Sequence, residues 1–326
     1  EVVIDHATAD YFHPIYDIAT QQWDLSDCDD IVEEARLPRL AWSSEIAGTV
    51  TAAAHRATGI PEGTRVIVGT ADAPAEAVAA GVIDQGSVMA MYGSSGFFIR
   101  VGDSLVTDHT LWAAPFVFPG TFVLAAGVAT SGTATRWIAE VLDIVGNTDQ
   151  QTFAALIGLA EQATPGCRGL LALPHFSGER TPFHDPQSRA AFVGLGLSHG
   201  RPELARGVIE GVAHATAAAL AAYGKAGAPV RRVAAIGGGT KNDILLRSVS
   251  AIAGVTQTVV DSDGAALGDA ALAALAVGAV DSRAQLAAWA RIREVVDPDP
   301  ALSDVLVPDH AKFLALYSAL CQWRAR

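Results

Sequence analysis

RVAAIGGGTKNDILLRSVSAIAGVTQTVV, residues 232–260, is the stretch that decides the fold class. Arg232–Ile236 is a short apolar run of strand length, stopped by Gly237, Gly238 and Gly239. Helical spacing then runs from about Asn242 to Ala253, and Thr256–Val260 is a second strand. A further helix is expected from about Gly264 to Val277. Strand, helix, strand, helix is the pattern of an α/β protein with parallel strands, in which each helix covers a sheet face. The composition agrees: of 326 residues half are hydrophobic, 17% are charged and 31 are glycine. That length is large for one domain and comfortable for two.

Upstream, residues 203–223 carry two helical stripes, Glu203, Arg206, Glu210 and His214 on one and Leu204, Val208, Val212 and Leu220 on the other. SVMAMYGSSGFFIRVG, residues 87–102, reads as strand, Gly/Ser turn, strand, a β-hairpin that starts a second domain. Thr121–Ala126 and Leu170–Leu173 are further strands, and Glu1-Val-Val-Ile reads as a strand already under way. Arg65–Val68 is a short strand that runs into Thr70–Pro74. Pro74 suits a first helical position, with an Ala-rich helix over 75–81 and a linker or turn at Gly81–Gly86.

Four segments carry polar groups where chemistry is expected. Asp72 lies between a strand end and a helix start, where catalytic groups gather in open α/β sheets; the plainer alternative is a helix N-cap. Tyr92-Gly-Ser-Ser-Gly96 offers N–H groups and hydroxyls to phosphate oxygens, or is an ordinary tight turn. Gly237–Gly239 with Asn242 clears side chains from a surface at the positive end of a helix, which suits a nucleotide. It is no P-loop. A dinucleotide fingerprint is nearer, with Asp261 ending the next strand, but Asn242 occupies its third glycine position. Ser177–Pro182 with His184-Asp185-Pro186 reads as a loop held by Glu179 and Arg180 that could order a cleft wall; His175 and His184 match no metal spacing.

The balance of 22 basic and 35 acidic residues, net −13, has no basic run, so nucleic acid is not an expected partner. Three separated cysteines, Cys28, Cys167 and Cys321, point to reduced thiols in a cytoplasm. No membrane span is expected, since Gly268 and Asp269 break the most apolar run, Ala265–Val280, and no signal peptide, since Glu1 and Asp5 open the chain.

Taken in order, these segments resemble the FGGY family of carbohydrate kinases. GTADAPAEAVAAGV (69–82) is similar to the stretch with the family's catalytic Asp, and MYGSSGFF (91–98) to its second phosphate loop, with Ser94 where Thr is usual. Residues 112–137, WAAPFVFPGTFVLAAGVATSGTATRW, resemble the middle of the C-terminal domain of xylulokinase-like members. Residues 177–214 nearly match the C-terminal signature, departing at Gly207; GGGTKN (237–242) resembles the adenosine motif and 264–278 the helix after it.

The resemblance implies a duplicated ribonuclease-H-like fold of the actin-like ATPase superfamily. It implies ATP and Mg²⁺ as cofactors, and a sugar or polyol phosphorylated at a primary hydroxyl, with a ketopentose such as xylulose first. It makes Asp72 the general base, gives Gly93, Ser94 and Ser95 to the phosphates, and gives Gly237, Gly238, Gly239 and Asn242 to the adenosine. No residue is assigned to the metal. Family members carry a longer first domain whose opening Asp-x-Gly hairpin has no match here. Residues 1–84 are therefore expected to be the closing part of that domain and 85–326 the complete nucleotide-binding domain. The expected partner is a small-molecule sugar, with a homodimer as the candidate assembly. A non-catalytic nucleotide-binding remnant is the alternative, and an NAD-dependent enzyme built on Gly237–Asp261 a third reading.

Overall fold

The computed structural model describes residues 2–26, 28, 32–261 and 264–325. The first eighty residues make short paired elements. Strand β1 (Val3–Asp5) leads into helix α1 (His6–Ala9), β2 (Tyr16–Asp17) pairs with β3 (Gln22–Trp23), and β4 (Arg39–Ala41) pairs back in parallel with β1. Strand β5 (Ile46–Thr49), helix α2 (Ala52–Thr58) and β6 (Arg65–Ile67) follow, with β5 and β6 antiparallel. Helix α3 then spans Asp72–Ala79.

Next come β7 (Ser87–Tyr92), β8 (Gly96–Gly102), β9 (Trp112–Pro115) and β10 (Phe122–Val128). Helices α4 (Gly132–Val141) and α5 (Asp149–Ala160) lead to the β11 (Leu171–Leu173) and β12 (Ala191–Val193) pair and the long helix α6 (Arg201–Lys225). The chain closes with β13 (Arg232–Ile236), α7 (Asp243–Ala253), β14 (Gln257–Asp261), α8 (Ala265–Ala276), α9 (Arg283–Ala287), β15 (Arg291–Val296) and α10 (Pro300–Arg324).

Seven described strands form one mixed sheet in the order β15-β14-β13-β7-β8-β10-β9. Its centre, β14-β13-β7, is parallel, as the βαβα reading requires. The period of two then sorts the strand residues. Val88, Ala90 and Tyr92 enter the core under α4, α5, α6, α7 and α10, while Met89 enters the opposite core under α3 and α8.

The structure corrects the start of one helix and adds burial to two other readings. Helix α3 starts at Asp72, so Pro74 is its third residue; no first-turn N–H has an intrahelical acceptor, and a proline there costs nothing. Residues 81–86 form a turn, one of the two readings of that stretch, and Val82 and Ile83 within it are buried in the second core. On α6 the polar stripe faces inward: Arg206, Glu210 and His214 are buried. Arg206 Nε donates to Glu210 Oε1 (2.6 Å), and Glu210 also accepts from the Gly166 N–H (3.1 Å), so the carboxylate is satisfied inside the protein.

Candidate nucleotide and phosphate site

The parallel pairing of β7 with β13 sets Met91 beside Ile236. The segments leaving those strands, 93–95 and 237–242, therefore emerge side by side at the carboxyl edge of the sheet, where ligands bind in open α/β folds. The hairpin closes with the Gly93 N–H donating to Ser95 O (3.0 Å), and Ser94 is exposed at its tip. The glycine turn lies directly on the end of β7. A Cβ at Gly237 (φ +89°) would sit 2.7 Å from Tyr92 O, and one at Gly239 would sit 2.7 Å from Tyr92 Cβ. Beneath them Tyr92 Oη donates to Gln257 Oε1 at 2.5 Å, tying the hairpin to β14.

A third segment completes this arrangement. At the start of α4, the Ser131 N–H donates to Ser94 O (3.0 Å), the Gly132 N–H to Gly93 O (2.9 Å) and the Thr133 N–H to Ser94 O (3.1 Å). None of these residues is among the candidates read from the sequence, although they lie in the quoted 112–137 stretch. Their signal was Ser-Gly between a strand and a helix. Ser131, Gly132, Gly239, Asn242 and Leu245 line one pocket. Asn242 is the N-cap of α7: its Oδ1 accepts from the Leu245 N–H (3.1 Å). Its Nδ2 is buried and makes no hydrogen bond. A buried amide donor without a partner, beside glycines and at the positive end of α7, is a fit for an acceptor atom of a nucleotide. No Lys or Arg lines this pocket.

Asp72 stands apart from these loops. It is exposed at the first position of α3, where its Oδ1 accepts from the Ala73 N–H (2.8 Å). The N-cap is Ala71, so the capping alternative is not realised. Among the described residues no hydrogen bond or ion pair joins Asp72 to 93–95 or 237–242. Its position comes from α3 crossing α8. A Cβ on Gly268 would fall inside the Ala75 carbonyl, and one on Gly69 would lie 3.6 Å from Asp269 Oδ1. Since α8 begins just beyond the carboxyl end of β14, the start of α3 is at the same edge of the sheet as the glycine loops. Its layer is the one opposite the Asn242 pocket. One turn on, burial and the Asp72 charge push the Glu76 carboxyl up.

Two further carboxylates hold the segment before Asp72. Asp5 is buried and accepts from Thr70 Oγ1 (2.8 Å) and Ser43 Oγ (3.3 Å). Asp269 is pushed up by burial, against the pull of the Thr70 N–H. In the sequence Asp269 registered only as a break in an apolar run. His175 and His184 do not converge: the His184 ring donates to Thr110 O (2.9 Å), and the His175 ring is 2.8 Å from Ser188 Oγ. Among the described residues no group of three His, Cys, Asp or Glu could hold a metal ion, and no helix is long and apolar enough to cross a membrane.

The chain resembles known proteins across this whole arrangement. The family model for the C-terminal domain of the FGGY family of carbohydrate kinases matches residues 88–277. Xylulose kinase of Escherichia coli is 28% identical over 311 residues, which cover 93% of this chain and 62% of that protein. Xylulose kinase of Staphylococcus epidermidis is 27% identical over 294 residues, 88% of this chain and 58% of that protein. The chain thus spans about three-fifths of the length of these curated relatives. Among solved structures, xylulose kinase from Rhodospirillum rubrum superposes with a TM-score of 0.89 at 29% identity, over 99% of this chain and 65% of that one. Plasmodium falciparum glycerol kinase with ADP superposes with a TM-score of 0.84 at 19% identity, over 98% of this chain and 63% of that one, a likeness of fold.

Proposed function

The chain belongs to the FGGY family of carbohydrate kinases, and from that premise we propose that it carries the nucleotide-binding part and the catalytic base for ATP-dependent phosphorylation of a sugar at a primary hydroxyl. Its fold is the actin-like ATPase fold of the xylulose and glycerol kinases it resembles, as the sequence led one to expect. We assign residues 85–326 to the nucleotide-binding unit and 1–84 to the segment that presents Asp72 to it. The observation that carries the reading is the convergence of the 93–95 hairpin, the 237–242 turn and the unpartnered Asn242 amide on one edge of the sheet.

In this reading Asn242 and Gly239 hold the adenosine, while Gly93, Ser94 and Ser95 face the phosphates. When bound, Mg²⁺ would supply charge neutralisation at the phosphates; magnesium is commonly held by phosphate oxygens and few protein ligands, and no side chain is assigned to it. Asp72 accepts the proton of the sugar hydroxyl as that oxygen bonds to the γ-phosphorus and the bond from that phosphorus to the bridging oxygen breaks, with ADP as the leaving group. Its exposure at the first position of α3 leaves the carboxyl group open to an approaching hydroxyl. Positioning and charge neutralisation supply most of the rate in phosphoryl transfer. The sugar is taken to be a ketopentose such as xylulose, on the strength of the named relatives.

Titration with Mg-ATP beside a coupled assay over ketopentoses and polyols tests the reading. Asp72→Ala is expected to lower turnover by ~10²–10⁴-fold and leave Mg-ATP affinity unchanged. Unchanged turnover overturns the assignment of the base. Binding without any turnover assigns the chain to nucleotide binding alone, the second reading, which its three-fifths coverage of the relatives keeps in view. No Mg-ATP binding overturns both.

A further inference from the structure

Glu179 is not among the residues assigned to the site above, and it does not line the Asn242 pocket. It is nonetheless 4% exposed, a carboxyl group sealed in the interior. Its Oε1 accepts from the Ala129 N–H (2.8 Å) and the Arg180 N–H (2.7 Å). Its Oε2 makes no hydrogen bond and faces His175 Nε2 at 3.4 Å, an atom equally buried and equally unpartnered. His175 is fully buried, with its other nitrogen 2.8 Å from Ser188 Oγ. Two buried polar atoms that face each other without other protein partners are satisfied together by one proton between them.

The same loop is stitched to the end of β10 at neighbouring points. The Thr181 N–H donates to Gly127 O (2.9 Å), the Gly127 N–H donates to Thr181 Oγ1 (3.2 Å), and Thr130 Oγ1 donates to Pro174 O. Glu179 takes the Ala129 N–H between them. Residues 129–130 lead directly into Ser131, Gly132 and Thr133, whose N–H groups hold the carbonyls of Gly93 and Ser94. A continuous chain of bonds therefore runs from the His175–Glu179 pair to the phosphate-facing hairpin.

We propose that Glu179 is a positioning residue for phosphoryl transfer: sharing one proton with His175, it fixes the 129–133 turn that holds the 93–95 hairpin against the glycine turn. This rests on the kinase reading for its purpose, though its geometry does not. Burial pushes the Glu179 carboxyl up to about 7, against the pull of the two N–H groups and the Arg180 charge. Burial holds the His175 ring down at about 4, with Asp185 raising it and Arg324 lowering it. The charged and titratable groups around the pair are thus Arg180 and Asp185 on the loop and Tyr317 and Arg324 on α10. Between those two values both partners are neutral, and the acid can donate to the imidazole. Because the docked carboxyl holds its proton to higher pH than a solvated one, docking is strongest in the mildly acidic range. It weakens as pH rises through about 7.

Amide hydrogen exchange at Ser131, Gly132 and Thr133, corrected for intrinsic rates, reads the docking without any ligand. Glu179→Ala is expected to lower protection at these three amides about tenfold, the loss of a buried hydrogen-bonded partner. Glu179→Gln keeps an acceptor for Ala129 and a donor for His175, and is expected to restore protection. In the unaltered chain protection falls between pH 6 and pH 8; in Glu179→Gln it is flat. Wild-type protection in Glu179→Ala overturns the positioning role, and a pH-independent unaltered chain overturns the shared proton, whether or not the variants fold. Mg-ATP titration separates this from the kinase reading. Tenfold weaker binding in Glu179→Ala supports both, whereas the exchange result with no Mg-ATP binding in the unaltered chain keeps the positioning of the hairpin and removes its nucleotide.

Discussion

The two ends of the Asn242 side chain stand in different states. Oδ1 caps α7 and Nδ2 is buried without a hydrogen bond, so under the proposed nucleotide reading removing the side chain has separable costs. Asn242→Ala is expected to lower stability by about 1 kcal/mol, the ordinary worth of an N-cap. It should also weaken Mg-ATP binding about tenfold, the loss of one buried donor. Thermal melting reads the first and calorimetric titration the second; a melt that falls with unchanged affinity leaves Asn242 a cap only. This residue was legible because a polar side chain after three glycines and before a helix is a local pattern. Asp5 and Glu179 were harder to read. Asp5 takes its hydroxyl donors from Thr70 and Ser43, and Glu179 takes an N–H from Ala129, fifty residues away; neither partnership leaves a trace in local spacing.

At the level of elements, the glycines separate into those that permit an approach and those that merely occupy a position. Gly268 lets α8 lie against the backbone of α3 at Ala75, while Gly158 in α5 has nothing within 4 Å of where a Cβ would be. Gly268→Ala is expected to destabilise by about 1–3 kcal/mol through forced separation of the helices. Gly158→Ala is expected to stabilise by up to about 1 kcal/mol, from helix propensity alone. Denaturant unfolding of the two variants checks both signs. The βαβα passage was legible to within a residue or two at each boundary, because strand and helix periods are written locally. The inward burial of the α6 polar stripe was not, since Gly166 and Cys167, which satisfy Glu210, come from a distant connection.

For the molecule as a whole, buried histidines make stability depend on pH. His214 is sealed between His310 and Phe313, and burial, with His310 adding to it, holds its ring down at about 3. The unfolded chain therefore binds a proton there that the folded chain refuses. Stability due to this site is complete above about 6.5 and is lost as pH falls toward 3. His214→Phe keeps an aromatic ring and removes the proton site. Over that window the variant is expected to lose about 1.4 kcal/mol less per pH unit than the unaltered chain. Equal slopes in urea melts at pH 6 and pH 4.5 would count against it. Sheet order and the pairing of β7 with β13 are likewise properties of the whole chain. They bring together loops about 140 residues apart that the sequence could nominate only one by one.

The crossing of α3 and α8 has a mechanical corollary. Ala75 O meets Gly268 where no side chain intervenes, so the two helices touch backbone to backbone. Further along α3, Ala77 and Val78 share one buried core with Ala271 and Leu272 of α8. A contact of that kind has no pliable side chain to absorb a displacement, so Asp72, one turn before it, is seated on two helices that shift only together.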